Sequence, residues 1–368
     1  MPPENNSDST SADDLHRTTV PSFDHDLSRQ QHIDDLIAQI KESADKLEAD
    51  GCSRGDLKIL SRTLRELRYA FKVFSPYRWQ RKVTVFGSAR TKPEEPPYQQ
   101  AVEFGRQVAA HEWLVVTGAA SGIMEAGHVG AGRKMSMGLN IMLPFEQSSN
   151  PIIAGDPKLV HMKYFFTRKL MFVKECDAVV CLPGGFGTLD EAMEVLTLLQ
   201  TGKRDMVPVV LLNAPGETYW EGLHKFIVEH MLNARMISPE DLSLYKVTDD
   251  VQVAVDEVLG FFRVYHSMRY VKDNLVFRLQ SPLSAELLAE INHAFADILV
   301  DGRFEQRGPL ELEQDEPNLN ELPRLVFHFN RRSLGRLRQL IDCLNRGSIT
   351  LEAAISPSEA KDEVLPEE

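Results

Sequence analysis

Cysteine is scarce in this chain. Four occur in 368 residues, at positions 52, 176, 181 and 343, and none forms a CxxC pair. That excludes the spacing of a zinc knuckle or a disulfide framework. Cys176 and Cys181 lie beside or within an apolar run and are expected to fill core. The eleven histidines include no HExxH pair, so the ligand spacing of a zinc hydrolase is missing as well. No metal or cofactor is expected. No apolar run reaches the roughly 18 residues of a membrane span. The first residues are polar and acidic, without the basic start and apolar core of a secretory leader. Cytoplasmic residence is therefore the expectation. Positive charge is in deficit: Lys and Arg number 41 against 54 Asp and Glu, a formal net charge of −13. Such a balance argues against a nucleic-acid or membrane-surface partner. It leaves room for a small anion, because local basic groups decide that.

What is present is an alternation of short apolar runs and amphipathic stretches. Hydrophobic residues make up 43% of the chain, enough for a substantial core. Residues 1–25 read as a disordered tail, 26–78 as a helical segment with helices over 28–49 and 55–75. Residues 79–268 read as the main domain. Strands are predicted at 83–86, 113–117, 138–142, 178–182 and 207–212. Helices are predicted at 97–111, 121–134, 164–175, 189–200, 218–232 and 250–265. This order predicts an α/β fold, a doubly wound parallel sheet with helices on both faces. Residues 269–347 read as a small α+β appendage and 348–368 as an acidic tail.

Ligands of such sheets bind at the carboxyl ends of the strands. Three glycine-bearing turns fall there, at Gly87-Ser88, Gly118 and Gly184. The third is the most informative: Pro183-Gly-Gly-Phe-Gly-Thr-Leu-Asp-Glu191. Gly184, Gly185 and Gly187 permit a sharp turn and close approach of backbone to ligand. Thr188 is expected to cap the following helix. The free amides of that helix start suit a phosphate, with Glu191 projecting from the first turn beside it. A purely structural turn is the plainer alternative. Arg168 and Lys169 open a largely apolar helix one strand earlier. Cations are disfavoured at a helix N-terminus, which predicts a compensating anion nearby. Thr117-Gly-Ala-Ala-Ser-Gly122 leads into another helix, with Ser121 as its expected cap. Glu146 is a candidate for a ribose hydroxyl, or simply faces solvent.

Taken together these residues resemble the LOG (lonely-guy) family of nucleoside 5′-monophosphate phosphoribohydrolases, long labelled lysine decarboxylases. The matching pieces are Val85-Phe-Gly-Ser-Ala-Arg90, the 117–126 turn, the run 138–147, Arg168-Lys169 and Pro183 to Glu191. The resemblance covers about residues 80–265 and is to the longer bacterial members. It implies cleavage of the bond between base and ribose 5-phosphate, as in AMP or a cytokinin riboside monophosphate. It implies Arg168 and Glu191 as the catalytic pair. It gives a substrate-holding role to Gly184, Gly185, Phe186, Gly187, Thr188 and Asp190, with Gly87, Ser88, Gly118, Ser121, Gly122, Glu146 and Lys169 around them. Thr197 matches a further nucleotide contact. A homodimer or larger homo-oligomer is implied as well. On this reading Glu191 stays ionised, held by the helix end and Arg168. One departure stands out: where the family has Thr-Gly-Gly-Gly-Pro-Gly, this chain has Thr117-Gly-Ala-Ala-Ser-Gly122. Methyl groups at Ala119 and Ala120 bring strain wherever the backbone needs positive φ. A non-catalytic nucleotide sensor or carrier on the same fold therefore stays open. So does a pyridoxal-phosphate decarboxylase, although no lysine has a distinctive setting.

Overall fold

Residues 26–142, 149–313 and 316–347 are described by a computed structural model. The N-terminal helices are α1 (Asp26–Lys46) and α2 (Arg54–Phe74), the latter opened by a Ser53/Asp56 capping box. Then strands and helices alternate: β1 (Lys82–Phe86), α3 (Pro96–Ala110), β2 (Leu114–Thr117), α4 (Ile123–Ala131), β3 (Ser136–Ile141), β4 (Leu159–Met162), α5 (Phe165–Glu175), β5 (Ala178–Cys181), α6 (Phe186–Gln200), β6 (Val209–Leu212), α7 (Tyr219–Phe226), β7 (Lys246–Thr248) and α8 (Val251–Gly260). The seven strands form one parallel sheet in the order β4-β3-β2-β1-β5-β6-β7. This is a doubly wound, Rossmann-like α/β sheet, as the alternation predicts. Strands β4 and β7 have no counterpart in the sequence reading; they are only four and three residues long, too short to stand out from their loops.

Side chains alternate between the two faces, as strand geometry requires. Val83, Val85, Val115, Val180 and Val210 pack under α3, α4 and α8. Phe86, Leu114, Val116, Val179 and Leu211 face the opposite side, where α5, α6 and Trp220 cover them. Phe86 meets Phe172 edge-on at 4.9 Å, which seats α5 over the end of β1. Such a contact adds about 0.5–1.5 kcal/mol beyond burial.

The predicted helix at 250–265 ends at Gly260, and a strand begins at Tyr265 instead. After α7 the chain continues as a π-helical turn, Ile227–Leu232. β8 (Tyr265–Val271), β9 (Asn274–Leu279), α9 (Ala285–Ala294), β10 (Glu305–Arg307), β11 (Arg324–Phe327) and α10 (Leu334–Arg346) follow among the described residues. Their four strands form an antiparallel sheet in the order β10-β11-β9-β8. Its apolar face continues the core of the main sheet: Tyr265, Phe277 and Phe327 belong to the same buried cluster as Phe86 and Phe172. Both anticipated tails, 1–25 and 348–368, lie outside the described residues. No helix among the described residues is long and apolar enough to cross a membrane.

Candidate active site at the strand-order reversal

Strand order reverses between β1 and β5, so their carboxyl ends diverge into a crevice where α/β sheets bind ligands. The three glycine turns meet there on Ser88. Its N–H donates to the Pro183 carbonyl (3.1 Å), and its own carbonyl accepts from the Ile123 N–H (3.0 Å). Ser121 Oγ donates to the Ala89 carbonyl (2.9 Å). Two glycines make this approach feasible. Gly122 has φ +66°, and a Cβ there would stand 2.3 Å from the Ser88 carbonyl oxygen. A Cβ on Gly184 would stand 2.2 Å from Thr188 Oγ1 and 3.0 Å from the Ser88 nitrogen.

Helix α6 starts earlier than the sequence suggests. Its N-cap is Gly185, with no side-chain cap. Thr188 is thus a buried residue inside the first turn rather than the cap, and Glu191 stands in the second turn. Gly185, Phe186 and Gly187 are exposed, so the amide-bearing start of α6 forms an open shelf suited to an anion. Ser121 likewise does not cap α4, whose N-cap is Gly122.

Arg168 and Glu191 come together at this shelf. Arg168 lies on α5, its guanidinium 5.0 Å from the Phe165 ring centroid and 5.7 Å from that of Phe172. Its Nη1 is 3.5 Å from where a Gly118 Cβ would be. Its Nε is buried with no hydrogen-bond partner. Burial lowers its pKa, against the pull of Glu191 and Asp190. Glu191 is 5% exposed. Burial pushes its carboxyl up to about 7; Lys169 and Arg168 oppose that rise, and Glu194 and Asp190 add to it. The expectation of a firmly ionised Glu191 is therefore corrected: desolvation outweighs the helix end and the two cations. The carboxyl is poised near neutrality.

Lys169 has partners of its own. Its Nζ lies 2.8 Å from Asp190 Oδ2 and 2.7 Å from Glu194 Oε2. Lys169 and Asp190, both expected to hold substrate, neutralise each other and tie α5 to α6. Thr197 Oγ1 donates to the Met193 carbonyl (2.8 Å) one turn back along its own helix. Six residues beyond Glu191, it stands about 9 Å farther along the axis, away from the shelf. Glu146 lies outside the described residues.

The departure at the second turn has a clear structural outcome. Ala119 takes φ +59°, the left-handed region; Ala120 does not. A hydrogen-bonded cluster holds Ala119 there. Thr117 Oγ1 accepts from the Ala119 N–H (2.9 Å) and lies 3.1 Å from His128 Nε2. Asn150 donates to the carbonyls of Ala119 (2.8 Å) and Ala120 (3.1 Å). Burial takes the His128 pKa down to about 4, which keeps it neutral. The Ala119 methyl is fully buried with Ile153 and Leu159, so it fills core rather than the shelf.

Sequence reasoning missed Tyr219. Its hydroxyl donates to the Gly184 carbonyl (2.7 Å), pinning the glycine turn from α7. A tyrosine opening a helix at the same sheet edge was the available signal. A cavity of about 630 Å³ also opens at this edge beyond β6, lined by Gln100, Glu103, Asp249 and Asp250 among others. None of the predicted site residues lines it.

The family described as "Possible lysine decarboxylase" matches residues 117–258. A cytokinin riboside 5′-monophosphate phosphoribohydrolase of Arabidopsis thaliana is 33% identical over 166 residues, 43% of this chain and 73% of that protein. A probable enzyme of the same name from Oryza sativa subsp. japonica is 35% identical over 154 residues. That match takes in 40% of this chain and 59% of the rice protein, so the chain spans about three fifths of that relative's length. Among solved structures, the molybdenum cofactor carrier protein of Chlamydomonas reinhardtii is 23% identical with a TM-score of 0.34, over 49% of this chain and 99% of that one. With a third of the residues shared over nearly three quarters of the Arabidopsis protein, the chain belongs to the LOG family.

Proposed function

We propose that this chain hydrolyses the N-glycosidic bond of nucleoside 5′-monophosphates, of the AMP or cytokinin riboside monophosphate type, to free base and ribose 5-phosphate. The observation that carries this reading is Glu191, buried, poised at about 7 and flanked by Arg168, beside an uncapped helix start. The 5′-phosphate sits on the amides of α6. The ribose then lies over the glycine turn, with C1′ toward Glu191.

Cleavage passes through an oxocarbenium-like sugar. Ionised Glu191 stabilises that positive charge and takes a proton from the attacking water. The water oxygen bonds to C1′ as the C1′–N bond breaks, and the departing base takes a proton from solvent. A carboxyl with a pKa near the working pH suits this task better than an ordinary one, because it can both accept and release the proton. Arg168 keeps a fixed positive charge beside it and favours the ionised form.

The shelf is open in a single chain. Around it Phe165 and Phe166 are each 51% exposed, Leu170 47% and Phe186 93%. An apolar rim of this kind fits a second copy of the chain closing over the site. A pyridoxal-phosphate decarboxylase fits poorly. Its lysine must be an unprotonated amine to form the Schiff base. Lys169, the lysine beside the shelf, has its pKa raised by Asp190 and Glu194 in spite of burial.

The test is incubation of the purified protein with a panel of purine and pyrimidine nucleoside monophosphates, followed by chromatography for free base and ribose 5-phosphate. Release of both supports the hydrolase. Saturable nucleotide binding with neither product defeats it in favour of a carrier or sensor.

A further inference from the structure

Helix α2 lies outside the stretch that matches the family, yet it reaches the candidate site. Its buried face carries Glu66, Ala70 and Phe74. Glu66 is 5% exposed. Its Oε1 accepts from the Lys163 N–H (2.8 Å) and from Arg62 Nε (2.7 Å). Its Oε2 accepts from Thr167 Oγ1 (2.8 Å). Lys163 immediately precedes the N-cap of α5, and Thr167 immediately precedes Arg168. The N-cap residue, Tyr164, supplies no side-chain cap of its own.

An anion is what that helix start requires. The amides at the start of α5 carry partial positive charge, and Arg168 and Lys169 add two full charges within the first turns. The compensating anion expected from the sequence is in part Glu66, contributed by a helix about a hundred residues earlier. Burial pulls the Glu66 carboxyl upward in pKa, yet hydrogen bonds from Arg62, Lys163 and Thr167 hold it below the ordinary range. It therefore stays charged at neutral pH.

The head of Arg168 has no such anchor. It is in no ion pair among the described residues, and its Nε lacks a partner. Its place is set by the α5 backbone and by the rings of Phe165 and Phe172. We infer that Glu66 is a positioning residue: from α2 it fixes the first turn of α5 and so aims Arg168 at Glu191. Helix α2 then takes part in shaping the site. This inference rests on the roles given above to Arg168 and Glu191.

The test compares full-length wild type, Glu66→Gln and Arg168→Ala with a cleavable nucleoside monophosphate across the pH range. The groups acting on Glu191 are Arg168 and Lys169 from α5, with Asp190 and Glu194 from α6. If Arg168 turns away, one of the two cations favouring the carboxylate weakens. Glu66→Gln is expected to lower kcat about tenfold with KM within about twofold, and to move the acid limb of the rate profile upward by about half a pH unit. Arg168→Ala is expected to lose about 100-fold or more. Should Glu66→Gln fail to fold, Thr167→Val removes one of the same contacts and is expected to act in the same direction. A folded Glu66→Gln with wild-type kcat, or with a reduced rate and an unmoved limb, overturns the inference while Arg168→Ala stays inactive. An active Arg168→Ala overturns the catalytic assignment and this inference with it.

Discussion

Replacing Glu191 with Gln tests the site from two directions at once. The substitution keeps the shape of the side chain and removes its ability to ionise. In the folded chain burial moves this carboxyl from its ordinary 4.5 up to about 7. Each tenfold change in a protonation equilibrium corresponds to about 1.4 kcal/mol, so ionising Glu191 in place costs on the order of 3 kcal/mol of stability. The sign follows from linkage. Below about pH 4.5 the residue is protonated whether folded or unfolded, and nothing is lost. Between 4.5 and 7 the unfolded chain releases its proton more readily than the folded one, so wild type loses stability. Above about 7 the loss is complete. The Gln variant has no such loss. It is expected to match wild type near pH 4.5 and to exceed it by up to about 3 kcal/mol near pH 8, while turnover falls about 100- to 10,000-fold. Urea denaturation of both proteins at the two pH values reads the first effect, because titrating groups remote from Glu191 cancel in the difference. Chromatography of free base reads the second. A stability gap that does not widen with pH refutes the account of burial. Undiminished release of base by the variant refutes the role of Glu191.

The other expectations concern the turns and the pH profile. If ionised Glu191 is the working form, kcat/KM falls about tenfold per pH unit well below 7; a profile flat down to about pH 5 contradicts this. Gly184→Ala places a methyl 2.2 Å from Thr188 Oγ1 and 3.0 Å from the Ser88 nitrogen. A loss of about 1–3 kcal/mol in stability and a higher KM are expected, measured by denaturation and initial rates. Ala119→Gly relieves a left-handed residue, worth about 1–2 kcal/mol. It also removes a buried methyl of about 0.8 kcal/mol and adds unfolded-state freedom. The terms nearly cancel, so stability within about 1 kcal/mol and little change in rate are expected; a large gain in rate would mean that the methyl does narrow the site.

Five of the seven strands of the main sheet, and the glycine turns that follow them, were readable from the chain alone. Val83, Val85, Val115 and Val180 lie in short apolar runs, and Gly87, Gly122 and Gly184 mark where the chain must bend or touch another backbone. Those are short-range properties, readable from a window of residues. The association of Arg168 with Glu191 was legible through the family motif, because the strand that precedes Arg168, β4, did not stand out in the sequence. The charge state of Glu191, by contrast, was set by folding. Burial, two cations and two neighbouring carboxylates act on it together, and their balance depends on which surfaces close over it. The same holds for Lys169, whose charge is answered by Asp190 and Glu194 across a helix contact, and for Ala119, whose methyl points into core. Glu66 reaches the start of α5 from about a hundred residues away, and no local pattern announces it. Periodicity is local, whereas desolvation and long-range hydrogen bonds exist only once distant segments have met.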